Sequence, residues 1–158
     1  MSEDKELKQA QAVYKALCDM LDERNWHYEK LEESLSIKCE AQGDDLPMAI
    51  LIDVDKNRQL ASLISFMPFT VPENRRSALA VAVSQANNGM VDGSFDYNYL
   101  NGRIMFRMTS SFRESIIGKK MFDYMLSVAF YTIDEYNDKF LSIAKKDMSI
   151  DEILEYVK

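Results

Sequence analysis

The chain changes its hydrophobic period several times. Over residues 2–24, Leu7, Ala10, Tyr14, Leu17 and Leu21 recur at spacings of three and four, which predicts an amphipathic helix ended by Asn25-Trp26. The period then drops to two. Leu35, Ile37, Cys39 and Ala41 alternate with polar residues, and Met48, Ile50, Ile52 and Val54 do the same after the turn residues Gly43-Asp44-Asp45. Ala49 and Leu51 add apolar groups to the other face of the second strand, so it is expected to be covered in part on both sides. Asp55-Lys56-Asn57-Arg58 is turn chemistry, and a return strand is expected from Leu60 to Phe69.

Thr70-Val71-Pro72-Glu73 has the spacing of a capping box with proline in the first helical turn. The helix it opens carries Leu79, Ala82, Val83 and Ala86 on one side, and Asn88-Gly89 supplies a left-handed stop. A hairpin follows. Phe95, Tyr97 and Tyr99 alternate with Asp96 and Asn98, and Ile104, Phe106 and Met108 alternate with Arg103 and Arg107. Between them Asn101-Gly102 is the dipeptide suited to a tight type I′ turn, whose two central residues both need positive φ. From about residue 115 to 146 the helical period returns through Phe122, Leu126, Ala129, Ile133, Tyr136, Phe140 and Ile143. Ser149-x-x-Glu152 then predicts a second capping box and a short terminal helix with Ile153, Leu154 and Val157.

Strands joined by short turns favour an antiparallel sheet, and helices must cover its apolar face. The expected fold class is therefore α+β. Its antiparallel sheet has about five strands, with an N-terminal helix, a central helix and a long C-terminal helix. The length of 158 residues, with no linker-like stretch, fits a single domain over 1–158.

Charge narrows the choice of partners. The net charge is −7 and no basic stripe is present, which argues against nucleic acid and against an anionic membrane surface. The polar start lacks an apolar signal core, and the apolar run from Leu60 to Val71 is too short to span a bilayer, so a cytoplasmic chain is expected. Cys18 and Cys39 form no C-x-x-C pattern; free thiols are the default, and a single disulfide between them stays open.

Catalytic patterns are sparse. His27 is the single histidine and no G-x-S-x-G elbow accompanies it. Asp53-x-Asp55-x-Asn57 opens like a calcium loop, but Arg58 stands where glycine is needed and Ile64 where a bidentate Glu belongs. Zinc-ligand spacing, Walker A and G-x-G-x-x-G patterns are absent, so no metal and no cofactor is expected. Glu32-Glu33 and Asp44-Asp45 read as solvated turn carboxylates. The ten methionines either fill the core, whose stripes they follow, or make a surface that adapts to varied apolar partners; Met105 and Met121 would suit the latter.

One family is similar to this pattern. Asn87-Asn88-Gly89, then Gly93-Ser94-Phe95-Asp96, then Asn101-Gly102-Arg103-Ile104-Met105-Phe106-Arg107 resembles the central region of YbjN-like proteins, and the element order matches from residue 1 to about 146. The resemblance implies a fold like that of type III secretion chaperones, no transferable catalytic residues, and a homodimer. With the missing catalytic constellation and the methionine and aromatic content, it points to a non-enzymatic protein-binding module, chaperone-like or regulatory, with Phe95, Tyr97, Tyr99 and Met105 as the candidate protein-binding residues. Two other readings stay open: a small-molecule-binding domain or cryptic hydrolase using carboxylates, and an immunity-type partner whose acidity would suit a basic toxin.

Overall fold

In the computed structural model, which describes residues 3–158, the first stripe winds into α1 (Glu3–Glu23) and buries Ala10, Tyr14, Leu17 and Leu21. Six strands follow: β1 (Tyr28–Leu31), β2 (Ser36–Gln42), β3 (Pro47–Asp55), β4 (Leu60–Phe66), β5 (Ser94–Asn98) and β6 (Arg103–Ser111). They form one antiparallel sheet in the order β1-β2-β3-β4-β6-β5. Between β4 and β5 lies α2 (Arg76–Asn87); α3 (Lys119–Lys145) and α4 (Ile150–Tyr156) close the chain. The fold is α+β, with the N-terminal, central and long C-terminal helices that the periodicity predicts. Among the described residues no helix is long and apolar enough to cross a membrane.

The sixth strand, β1, gives no period-two signal. It is four residues long, and Glu29 and Lys30 fill its centre. Charged, short strands are what protects a sheet edge from further pairing. β4 stops at Phe66 instead of running to Phe69, because Pro68 has no N–H to extend the ladder. α3 starts at Lys119 rather than near 115, with Gly118 in extended backbone as its N-cap. The stretch before it is held irregular by Gln9, whose Nε2 donates to the carbonyls of Phe112 (2.8 Å) and Ser115 (2.6 Å).

Two predicted local motifs do not form, one displaced by a tertiary contact and the other by bonds within its own loop. The Thr70 capping box does not form: a 3-10 turn covers Glu73–Arg75 with Pro72 at its N-cap and no side-chain cap bond. The reason lies one residue earlier. Val71 is fully buried and its N–H donates to the Gly102 carbonyl at 2.9 Å, which fixes this backbone to the hairpin before a helix can begin. The type I′ turn is also replaced. The last β5–β6 pair is Asn98–Arg103, leaving a four-residue loop in which Gly102 N donates to Asn98 O at 2.8 Å. Gly102 has φ +73, whereas Asn101 does not have positive φ. Both asparagines favour the longer loop, since Asn98 Oδ1 accepts from Leu100 N and Asn101 Oδ1 from Arg103 N, each at 3.0 Å. Tyr99 consequently sits on the loop, not on a strand. By contrast the Ser149–Glu152 box forms fully, with Ser149 N to Glu152 Oε2 at 2.7 Å and Glu152 N to Ser149 Oγ at 3.2 Å.

The core lies between the helices and the sheet's inner face. Ile37, Cys39, Met48, Ile50, Ile52, Val54, Ala61, Leu63, Phe106 and Met108 point into it. Phe95 joins the hairpin to α3, meeting Phe106, Tyr136 and Phe140 edge-on at centroid distances of 5.3, 5.5 and 5.0 Å. Arg75 ties α2 to the end of α3 by donating to the Ile143 carbonyl through Nε (3.0 Å) and Nη2 (2.9 Å), where a cation also suits the helix dipole. Most methionines serve this core: Met20, Met48, Met67, Met108 and Met125 are buried, and Met90 and Met148 pack against it.

Both cysteines are free and buried. Burial pushes the Cys39 thiol from its usual value near 9 up to about 11. Burial also raises the Tyr14 phenol to about 12; its hydroxyl donates to Ser36 O at 2.9 Å. For a group whose pKa rises on folding, the unfolded chain loses its proton first, so stability is full below the unfolded pKa and falls as pH climbs toward the folded one. The melting temperature is therefore expected to fall from about pH 9 upward. Cys39→Val should lessen that fall without changing the melt at neutral pH; an unchanged alkaline profile would exclude Cys39 as a source of it.

Candidate functional site

Among the described residues, helices occupy only the inner face of the sheet. Along β3 the buried residues Met48, Ile50, Ile52 and Val54 alternate with Ala49, Leu51, Asp53 and Asp55, which are exposed or half-buried. The expectation of two-sided cover for this strand is thus corrected: the second face carries apolar groups, yet no part of the described chain covers them. Only the corner at Ser36 is buried, where Ser36 Oγ donates to Asp53 Oδ1 at 2.7 Å.

Strand register orders the open face into rows. One row runs Glu29, Lys38, Leu51, Ile64, Arg107 and Ser94, each opposite the next. The adjacent row holds Glu40 opposite Ala49 on one side and Phe66, Met105 and Asp96 in sequence on the other. Leu51, Ile64, Phe66, Met105 and Ala49 therefore form a central apolar patch, with charges to either side. Phe66 is 40% exposed, a large value for a phenylalanine within a sheet. Its ring is flanked by the Arg103 guanidinium at 4.1 Å, and Arg107 pairs with Asp96 at 3.0 Å.

Two shallow hollows meet at Phe66. The larger, about 840 Å³, spans the β1–β4 side and is lined by His27, Glu29, Lys38, Ala49, Leu51 and Phe66 among others. The smaller, about 520 Å³, lies beside the hairpin and is lined by Phe66, Tyr97, Tyr99, Arg103 and Met105 among others. An open apolar trough with a charged rim accepts a segment of another chain more readily than a small molecule, which needs enclosure and converging polar groups.

The four sequence-predicted site residues fall in different places. Phe95 is core, at 3% exposure. Tyr97 is half-buried on the inner side, where its hydroxyl donates to Arg76 O at 3.0 Å and burial raises its pKa. Tyr99 is exposed on the loop and shares a 2.9 Å hydrogen bond with Ser77 Oγ. Met105 lies on the open face. Tyr97, Tyr99 and Met105 thus meet around the smaller hollow, and Phe95 lies away from it. Sequence reasoning missed Leu51, Ile64 and Phe66, although the apolar doubling at Ala49 and Leu51 was the available signal.

Two carboxylates, those of Asp55 and Asp134, are engaged in structure. Asp55 Oδ1 accepts from the backbone N–H of Asn57 (2.9 Å) and Arg58 (3.0 Å), so the calcium-like run is a hairpin turn. Asp134 on α3 accepts from Asp44 N at 3.0 and 3.2 Å, clamping the β2–β3 turn. Desolvation, then Asp138, Asp134 and Asp44, raise the neighbouring Asp45 carboxyl. His27 is exposed at the rim of the larger hollow.

No family model and no curated protein matches the chain. Among solved structures it is similar to YbjN from E. coli, described as a proposed transcription regulator, with a TM-score of 0.53 and 13% identity over 89% of this chain and 88% of that one. At that identity the likeness establishes a shared fold over nearly the whole of both chains, and nothing about activity.

Proposed function

We propose that the chain is a non-enzymatic protein-binding module of the YbjN-like kind, chaperone-like or regulatory, that forms a homodimer and takes apolar partner surfaces on the open face of its sheet. The observation that carries this reading is the uncovered patch of Leu51, Ile64, Phe66 and Met105 between charged margins. Burying a patch of this kind is favourable at roughly 25 cal/mol per Å² of apolar surface, and no helix among the described residues does so. The net charge of −7 supports a protein partner over nucleic acid. The use of Asp134 and Asp55 as backbone clamps supports a non-catalytic role for these carboxylates.

The test is suppression of aggregation of a heat-unfolding client protein. The wild type is expected to slow aggregation and Phe66→Glu to lose most of that effect. Phe66→Glu should keep its melting temperature, because the residue lies outside the core and the new carboxylate would face Arg103. Equal activity of both proteins, or none in the wild type, would refute the reading.

A further inference from the structure

We propose that a second copy of this chain occupies the open face, packed sheet to sheet about a two-fold axis that lies in the interface and runs perpendicular to the strands, between the Lys38 and Glu40 rows. The inference rests on the reading of this face as a protein-binding surface and names its occupant in the free protein, which a partner surface must displace.

A two-fold interface must be complementary to itself. Two orientations can be tested against the register. An axis parallel to the strands, between β3 and β4, lays β2 on the partner's β6 and sets Lys38 against Arg107 of the partner subunit. That pairing is repulsive. An axis perpendicular to the strands lays each strand on its own counterpart and exchanges the two rows. Lys38 then meets Glu40 of the partner subunit, and the symmetry repeats the pair. Leu51 meets the partner's Ala49, Ile64 meets the partner's Phe66, and Arg107 comes beside the partner's Met105 and Asp96. Every strong charge on β2 finds its opposite, and the apolar patch closes on itself.

Three further observations agree. Lys38 and Glu40 are exposed, and among the described residues neither has an ion-pair partner, although Glu29 stands opposite Lys38 in register. Twisted sheets are saddles, and two saddles pack at about 30° with a spacing of roughly 10 Å, so the hollow on one face can receive the ridge of the other. The strand spacing of about 4.8 Å and rise of about 3.3 Å give the face a plane on the order of 600 Å² per copy, close to the roughly 800 Å² that a standard interface buries on each partner. The charged pairs lie toward the margin, where they set register and partner choice more than affinity.

Charge exchange tests the geometry. By sedimentation velocity the wild type should be a dimer in the micromolar range. Lys38→Glu alone and Glu40→Lys alone should each weaken association by about tenfold or more, because each places like charges opposite one another. An equimolar mixture of the two variants, and the double variant carrying both exchanges, should recover the dimer. A monomeric wild type, single variants that pair as well as wild type, or a mixture no better than its components would overturn the proposal. If it is overturned while Phe66→Glu still abolishes client protection, the face binds proteins but not its own copy. If Phe66→Glu also leaves protection intact, the reading of the face falls with it.

Discussion

Gly102→Ala is expected to lower stability by about 3 kcal/mol, from strain at positive φ together with a lost buried hydrogen bond. In a chain of this size that corresponds to a drop of about 6–12 °C in melting temperature. Gly102 has φ +73, and a Cβ there would stand 2.4 Å from the Val71 carbonyl oxygen. That neighbour is backbone and cannot turn aside. Moving it would also break the 2.9 Å bond from Val71 N to Gly102 O, and would disturb Arg76, which donates to Val71 O and Leu100 O. Gly89 provides the control. Its φ is +82, but a Cβ there meets nothing within 4 Å, so Gly89→Ala should cost only the conformational strain of about 1 kcal/mol. Equal losses for the two variants in thermal and urea melts would show that the contact with Val71 is unimportant.

Asn87→Leu is expected to be nearly as damaging, at about 2–4 kcal/mol for two bonds at a half-buried site. β5 is an edge strand, and Phe95 turns its N–H and C=O away from β6. Asn87 satisfies both: Phe95 N donates to its Oδ1 at 2.8 Å, and its Nδ2 donates to Phe95 O at 2.9 Å. A single amide side chain thereby stands in for a neighbouring strand. Asn87→Asp separates the two bonds. The carboxylate can accept from Phe95 N–H but repels Phe95 O, whereas the protonated acid can serve both. Its folded pKa should therefore lie above the unfolded value, so the variant gains stability as pH falls through that range. Faster hydrogen exchange at the Phe95 amide in Asn87→Leu, and an acid-side gain in melting temperature in Asn87→Asp, would check the two halves of the account. A flat acid profile for Asn87→Asp would contradict the shared-amide geometry.

These residues also show where the sequence is legible. The α1 stripe, the α3 stripe and the Ser149–Glu152 box are local patterns that form as read, except at the start of α3, where the distant Gln9 holds Phe112 and Ser115. The Thr70 box and the type I′ turn are equally good local patterns; the turn loses to the bonds that Asn98 and Asn101 make within the loop, and the box to the bond between Val71 and Gly102. A contact between residues 31 positions apart leaves no periodic trace. β1 is invisible for a different reason: its central charges protect an edge and erase the alternation that marks a strand.

The candidate site was legible only in part. The alternation puts Phe95, Tyr97 and Tyr99 on one face of one strand; Phe95 and Tyr97 do share the inner face, toward α3 and α2, but Tyr99 lies past the strand end. The apolar doubling at Ala49 and Leu51 was visible. An apolar second face looks the same in sequence whether a helix of the same chain or another molecule covers it. No helix among the described residues does, so the open apolar surface lies at Leu51, Ile64 and Phe66 and not at the hairpin.

The most direct measurement of that claim is hydroxyl-radical footprinting read by mass spectrometry, above and below the concentration at which the chain associates. Phe66 and Met105 on the sheet, and Met121 and Tyr131 on α3, give reactive reporters on two separate surfaces. Phe66 and Met105 are expected to lose reactivity on association while Met121 and Tyr131 keep theirs. Protection of Met121 and Tyr131 with Phe66 and Met105 unchanged would place the interface on the helix and contradict the account.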